Sequence, residues 1–457
     1  MYFKSKISGC QSKYRIVNKN VIFTGESPKK GELFVKANES VKNYPSTRRM
    51  YTNYAARSIK KVCKEIGPRF AGSEQEKKGI EFMSEELKTC CDDVKIESYT
   101  VHPKAFLGWI PMAGILMIIS SVLFFVAQFF EISQLFYVPA VFSLISIFFA
   151  VTEFLFYKET LDKFTPKKTS HNTYGVRKAS GETKRRIIFS GHADSSMEWR
   201  FTYYGGPKML ILVLGGSIVG LVFCTAVSIF ASVKAITDPA YASAQLINIL
   251  SYILLGFNVF FIPVIFMYDK NRVVEGANDD LSGCFTSIAI LKYLQDNDIR
   301  FENTEVVALC TGSEEIGLRG AKDFCKKHGK EFSDVETVLV AIDTVHDFDF
   351  MSVYNKDMSG VVKNDAEASK LLKEGGKIAG YDLPYKTVSL GATDAAAVSS
   401  SGCGIKATSF AALDPSPARY YHTRLDSHDN LDMKTLEAGL DICLETLFLF
   451  DEKGINV

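Results

Sequence analysis

Residues 304–315 read TEVVALCTGSEE, an apolar run that ends in Gly312-Ser313 and then two adjacent glutamates. A run without polar alternation suits a central strand buried on both faces. The pattern recurs at residues 186–194, RIIFSGHAD, and at residues 337–345, TVLVAIDTV, where an acid again closes the run. Helical stretches are expected between these strands, at about 282–295 and 318–327. Upstream, a helix over about 52–66 is stopped by Gly67-Pro68. Residues 73–87 place Ile80, Met83 and Leu87 at helical spacing behind Ser73 and Glu76, which form a capping box. Residues 93–101 alternate as a strand. This βαβα order predicts an α/β fold, a mixed and mostly parallel sheet sandwiched by helices. No internal repeat or low-complexity stretch interrupts it, and residues 1–45 have no pattern that assigns them.

The chain has 457 residues, 47% hydrophobic and 23% charged, with 53 Lys+Arg against 52 Asp+Glu. This balance excludes disorder and polyelectrolyte behaviour, and a formal net charge of +1 leaves no general footprint for nucleic acid. A mean hydropathy of +0.05 with so many charges requires the apolar residues to be segregated. They lie in four blocks, residues 109–130, 135–152, 209–233 and 246–267, none of which contains Asp, Glu, Lys, Arg or His.

A helix needs about 20 apolar residues to cross a bilayer, so the blocks are expected to be four transmembrane helices in two hairpins, 109–152 and 209–267. Two hairpins return the chain to its starting side, which puts residues 1–108, 153–208 and 268–457 in one compartment. Near the span ends that side carries Lys95, Lys104, Lys158, Lys163, Lys167, Lys168, Arg200, Lys208, Lys270 and Arg272, against Lys234 alone at the hairpin tips. The positive-inside rule therefore predicts a multi-pass integral membrane protein with its polar domain in the cytoplasm. The first fifteen residues are basic without an apolar stretch behind them, unlike a secretory signal. Ten cysteines without paired spacing suit a reducing compartment. The four blocks hold no ionisable group from which to build an ion path.

Open α/β sheets carry their functional groups just beyond the carboxyl ends of the strands. His192 and Asp194 follow one run, Glu314 and Glu315 the next, and Asp343 ends the third. Asn278-Asp279-Asp280 precedes a helix, and His422 lies in a late loop, residues 420–426. Each residue singly has a plainer role open to it: Asp280 or Ser282 as a helix cap, Glu314 and Glu315 as a solvated turn. Arriving together, imidazoles and carboxylates without clustered cysteine point to zinc in a hydrolytic site. In such a site one carboxylate bridges two ions, and a neighbouring carboxylate that binds no metal acts as base. Glu314-Glu315 has the form of that last pair.

These residues resemble the family 28 zinc metallopeptidases, which include leucyl-type aminopeptidases and glutamate carboxypeptidases. Gly67-Pro68-Arg69-Phe70-Ala71-Gly72-Ser73 is similar to the family's N-terminal signature, and residues 276–283, GANDDLSG, to its bridging-ligand motif. The 87 residues from His192 to Asp279 exceed the family's usual gap, and removing the 59-residue hairpin leaves 28. The resemblance implies a peptidase domain assembled from residues 46–108, 153–208 and 268–457, with both hairpins as insertions. It implies two zinc ions per chain, with Asp279 bridging them, His192 and Asp343 on one, and Glu315 and His422 on the other. Glu314 would be the general base, Asp194 would hold the His192 imidazole from behind, and Tyr421 would donate a hydrogen bond to the oxyanion. Asp394 matches a loop acid near the site. His346 and His428 are rivals of His422, whose Thr423 and Asp426 fit the pattern better.

The function expected is a membrane-anchored exopeptidase, foremost an aminopeptidase, acting on a peptide substrate and held in the lipid bilayer. A one-zinc glutaminyl cyclase, an amidohydrolase of N-acyl or lipidated amino acids, and a catalytically inactive receptor or scaffold are the alternatives. Side-chain preference and oligomeric state are not legible in the sequence.

Overall fold

A computed structural model describes residues 35–416 and 418–457. Most of the segment read as residues 1–45, including its basic start, lies outside them. In chain order the helices are α1 (Tyr44–Glu65), α2 (Glu74–Lys88), α3 (Trp109–Phe129), α4 (Tyr137–Phe149), α5 (Arg200–Thr237), α6 (Gln245–Gly256), α7 (Asn258–Ile265), α8 (Leu281–Asp296), α9 (Arg319–Phe332), α10 (Ala366–Ile378), α11 (Asp394–Ser401) and α12 (Met433–Lys453). The strands are β1 (Asp93–Val101), β2 (Lys168–Arg177), β3 (Arg185–His192), β4 (Met197–Trp199), β5 (Tyr268–Val273), β6 (Thr304–Thr311), β7 (Glu336–Val345), β8 (Met351–Asp357), β9 (Val362–Lys363), β10 (Tyr385–Thr387) and β11 (Lys406–Ala412).

The main sheet runs β1-β2-β6-β3-β7-β11-β8-β10, with β9 beside β8. β3 lies parallel between β6 and β7, and β11 joins β7 in parallel, while β1–β2, β2–β6 and β8–β11 are antiparallel. Successive residues of the central strands face opposite cores. Ile187, Phe189, Val306, Ala308, Val338 and Val340 pack under α1, α8 and α12, whereas Ile188, Val307, Leu309 and Leu339 pack against Phe324, Phe332 and Val398 on α9 and α11. Both faces are apolar, which is why these strands read as unbroken runs. α1 starts eight residues ahead of its expected position. Its polar first turns show no apolar period, yet they are bound to α12 through Arg48, which pairs with Glu437 and Asp441.

Both long insertions leave and return through antiparallel pairs. Val101 of β1 lies opposite Lys168 of β2, so residues 102–167 begin and end side by side. Trp199 of β4 likewise lies opposite Tyr268 of β5. Since β1 and β6 are each antiparallel to β2, β1 ends at the edge where β6, β3 and β7 also end. The apolar helices therefore stand over the carboxyl ends of the parallel strands. α5 is broken at Gly206 (φ 65°, ψ −167°), directly before Pro207, and this break turns the chain from the sheet into the helix bundle.

Four helical stretches, Trp109–Phe129, Ser133–Leu155, Arg200–Thr237 and Gln245–Ile265, are long and apolar enough to cross a membrane. The second extends past residue 152 to take in Glu153, which is buried and accepts hydrogen bonds from Leu161 N (2.8 Å) and the Thr160 hydroxyl. The bundle reverses the usual burial order: Ser120, Ser121, Ser143, Ser146, Ser228 and Ser251 are fully buried, while Ile115, Leu144, Phe148, Val219, Val259 and Ile262 are exposed. Small residues bring α5 and α7 together. A Cβ on Gly216 would lie 2.4 Å from the Phe260 ring, and one on Gly220 would lie 2.7 Å from that of Phe257.

Gly220→Ile is therefore expected to lower the thermal midpoint of the detergent-solubilised protein, at a cost of about 1–3 kcal/mol for overpacking. Gly215→Ile, whose Cβ meets nothing within 4 Å, is the matched control. Equal midpoints for the two variants, measured by size-exclusion chromatography after heating, would remove this contact from the account of the bundle.

Candidate active site

The N-terminus of α8 is wedged between the ends of β3 and β7, and two glycines permit the approach. A Cβ on Gly191 would lie 2.4 Å from Cys284 N, and one on Gly283 only 2.1 Å from Ile342 O. Asp280, not Ser282, caps this helix, accepting from Gly283 N at 2.9 Å. The same carboxylate accepts from His192 N at 3.0 Å and Thr344 N at 3.3 Å, so it fixes the ends of three elements at once. The Asp279–Asp280 peptide is cis. Ser313, Thr344 and His422, each in or beside the cluster, have φ of 54°, 51° and 52°. Strain of this kind collects at functional sites.

Asp279 stands at the centre. Its Oδ1 lies 3.1 Å from His192 Nε2 and its Oδ2 lies 3.0 Å from His422 Nε2. Glu315 Oε2 is 3.3 Å from the same His422 nitrogen, and Glu314 Oε2 is 3.9 Å from His192 Nε2. Donor atoms of His192, Asp279 and Asp343 all fall within 4.8 Å of one another, as do those of Asp279, Glu315 and His422. Residues from the ends of three strands and two loops thus form two sets that share one carboxylate. The rival histidines are elsewhere: His346 pairs with Asp347 at 2.7 Å, and His428 with Glu275 at 2.8 Å.

Behind the donors, buried carboxylates receive the backbone of the loops that carry them. Asp194 accepts from Glu314 N (2.9 Å) and Glu315 N (3.2 Å) and lies 3.5 Å from His192 Nδ1. Asp426 accepts from Asn278 N (2.7 Å) and Asp279 N (3.2 Å). Arg69, fully buried, donates to the carbonyls of Ala193 (2.6 Å), Gly67 (3.0 Å) and Gly276 (3.2 Å), so it joins the loop after β3 to the loop before α8. Ser196 Oγ lies 3.1 Å from His422 Nδ1. Glu76 reaches Gly72 N (2.7 Å), Ser170 (3.0 Å) and Ser313 (2.8 Å) in place of the reciprocal half of the capping box. No local pattern gives Arg69 or Ser196 a role, or Glu76 its contacts beyond the cap. Arg69 and Glu76 had signals, one inside the quoted signature and the other in the capping motif, but neither signal names a distant partner.

The crowded, buried acids form a site suited to a cation. Burial, opposed by His192 and reinforced by Glu315, Asp343 and Asp394, holds the Glu314 carboxyl well above its ordinary range. Burial and Asp279 do the same to Glu315 and push Asp343 up to about 7. His192 is held well above its usual value: burial opposes this, but the carboxylates of Glu314, Asp194 and Asp279 prevail. Asp279 moves the other way, because the imidazoles of His192 and His422 outweigh its burial. Protons shared among so many acids do the work that a divalent ion does better. Asp279 Oδ2 and Glu315 Oε1, both in the donor set shared with His422, are buried without a hydrogen-bond partner. Two imidazoles with carboxylates, and no thiolate, are a donor set that fits zinc.

Tyr421 stacks on His422, with ring centroids 4.0 Å apart, and Trp199 meets His422 edge-on at 4.6 Å. Burial, with Asp279, Glu315, Asp343 and Glu314 around it, raises the Tyr421 hydroxyl well above its usual pKa, so it remains a proton donor. Asp394, at the start of α11, accepts from Thr311 Oγ1 at 2.6 Å and is pushed up to about 6 by burial. Glu314, Glu315, Tyr421 and His422 line the inner end of a cavity that continues between α3, α5 and α7.

The sequence profile of peptidase family M28 matches residues 172–447, more than half of the chain. The fold is similar to that of a zinc aminopeptidase from Bacillus subtilis, with a TM-score of 0.51 at 12% identity over 87% of this chain and 94% of that one. An aminopeptidase from Aneurinibacillus sp. strain AM-1 superposes with a TM-score of 0.50 at 13% identity, over 88% of this chain and 94% of the other. Identities this low speak for the fold alone.

Removing the Arg69 guanidinium leaves the buried carbonyls of Ala193 and Gly276 and the part-buried one of Gly67 unpaired, at about 1–3 kcal/mol each. Arg69→Met is expected to destabilise the protein by at least about 3 kcal/mol, and Arg69→Lys to recover little, since an ammonium cannot reproduce the planar fork. A melting midpoint within about 2 °C of wild type for Arg69→Met would show that the tie does not hold the loops.

Proposed function

The chain belongs to peptidase family M28 and is a zinc metallopeptidase, and from that premise we propose that it is a membrane-anchored, di-zinc exopeptidase that removes the N-terminal residue of a peptide. The observation that carries this reading is the position of Asp279, whose two oxygens each face a different histidine. One metal would be held by His192, Asp279 and Asp343, and the other by Asp279, Glu315 and His422. When bound, the ions supply Lewis-acid polarisation of the scissile carbonyl and acidification of the attacking water. Glu314, outside both donor sets and with its Oε2 3.9 Å from His192 Nε2, takes that water's proton and returns it to the departing amine. The Tyr421 hydroxyl donates to the developing oxyanion. Asp194 sets the His192 ring and, through Glu314 N and Glu315 N, the loop that carries the base. The shared carboxylate favours this reading over a one-zinc cyclase, and the complete donor set favours it over an inactive scaffold.

Anchoring is supported by the exposed aliphatic faces and buried serines of the four apolar helices, an order that lipid stabilises and water does not. From the juxtamembrane charges we infer that the peptidase domain faces the cytoplasm and the two tips lie outside.

Metal analysis of the purified protein is expected to return two zinc ions per chain, and Asp279→Ala fewer than one. Glu314→Gln is expected to keep both ions and the fold but to lose about 100-fold to 10,000-fold in turnover of aminoacyl substrates, since an amide accepts no proton. Near-normal turnover in that variant with zinc bound would exclude Glu314 as the base.

In a background without native cysteines, single cysteines at Glu131 and Ala240, both exposed at the tips, are expected to react with an impermeant thiol reagent in intact cells. One at Thr169, exposed on β2, is expected to stay unlabelled. The reverse pattern would put the catalytic domain on the outer or lumenal side.

A further inference from the structure

The cavity that begins at Glu314, Glu315 and His422 does not end at the domain surface. About 180 Å³ in all, it continues between the apolar helices, where Met117, Ile218, Leu221 and Phe261 form its far walls. Trp109 and Met117 both line it and stand eight residues apart on α3, a rise of about 12 Å. The space is thus a slot, deeper than one amino-acid side chain fills. Past the catalytic groups its lining is mainly aliphatic and aromatic, and the Ser217 and Tyr268 hydroxyls there already donate to Phe260 O and Leu107 O, so a peptide backbone placed in it would find few replacements for its water. Ile218, on the slot wall, is itself 61% exposed and is flanked by Val219 and Val222 at 60% and 58%, so the slot opens onto the apolar outer face of the bundle.

We propose, building on the exopeptidase reading above, that this slot receives a long linear hydrocarbon chain carried by the substrate. The substrates are accordingly amides dissolved in the bilayer, which enter sideways between the helices and present the amide to Glu314. The reaction is hydrolysis: the amide C–N bond breaks, a C–O bond to water forms, and the water's proton passes through Glu314 to the leaving amine. No other reactant is needed. The chain is either an N-acyl group or the side chain of a free N-terminal residue, and both present the same hydrocarbon to the slot.

The test uses the full-length, zinc-loaded protein in nanodiscs with two substrate series. One is N-acyl-leucine from acetyl to tetradecanoyl. The other is p-nitroanilides of free-amine residues from alanyl and leucyl to 2-aminotetradecanoyl. At least a tenfold rise in kcat/KM with chain length in either series is expected, and the series that rises identifies the source of the chain. Ala113→Phe, which fills the slot, is expected to abolish the long-to-short ratio. Val122→Phe, on the exposed face of α3, is expected to keep it. Binding is read separately. The chain's two tryptophans, Trp109 and Trp199, both line the slot, and Trp199 lies against His422 at its catalytic end, so in Trp109→Phe the remaining Trp199 is expected to be quenched saturably by dodecanoic acid brominated at carbons 4 and 5, near its carboxyl. Adding Ala113→Phe is expected to abolish that quenching. Cleavage of leucyl substrates with flat chain-length profiles in both series would overturn this proposal and leave the exopeptidase standing. An unchanged ratio in Ala113→Phe would also overturn it. No turnover of any substrate with zinc bound would overturn both.

Discussion

The arrangement depends on carboxylates that are buried because backbone amides hold them. Asp280 receives the N–H groups of His192, Gly283 and Thr344, Asp194 those of Glu314 and Glu315, and Asp426 those of Asn278 and Asp279. Each such acid ties two or three loops that carry the donors, and buried amides that bind it need no water. These ties fix the orientation of Asp279, and with it the positions of both imidazoles. The same density of negative charge makes the centre unfavourable without cations. The force that positions the donors is therefore also the one that calls for metal.

Placing this centre at one edge of the sheet determined where a bundle of long apolar helices was admissible. An antiparallel pair ends where it began, so an insertion of any length between Val101 and Lys168, or between Trp199 and Tyr268, leaves the register of the sheet untouched. Both pairs lie at the edge where His192, Glu314 and Asp343 emerge, so the helices roof the site. The break at Gly206 and Pro207 supplies the turn that carries α5 from the site into the bundle. The apolar cavity is the direct result of setting lipid-compatible helices over a polar catalytic floor.

The strands at residues 304–311 and 93–101 and the capped start of α2 were legible because their signals are local: apolar runs, alternation, and a Ser73 hydroxyl facing Glu76 N. β2, β8 and β11 were not. β2 carries Asn172 and Thr173 among its buried positions, polar groups satisfied by Gly320 O of α9 and by Lys95 O of β1. The start of α1 was missed for the same reason, since Arg48 gains its meaning from Glu437 and Asp441, nearly 400 residues away.

The sequence by itself determined the α/β order, the four apolar helices, and the donor types at the strand ends, because hydrophobic period and residue chemistry are properties of a short stretch of chain. Tertiary structure alone decided that Asp279 lies between His192 and His422 rather than beside His346 or His428, that Arg69, Asp194 and Asp426 tie the loops together, and that the catalytic floor opens into the bundle. Those facts are distances between residues remote in sequence, set by strand pairing and by the close approach of α8 to β3 and β7.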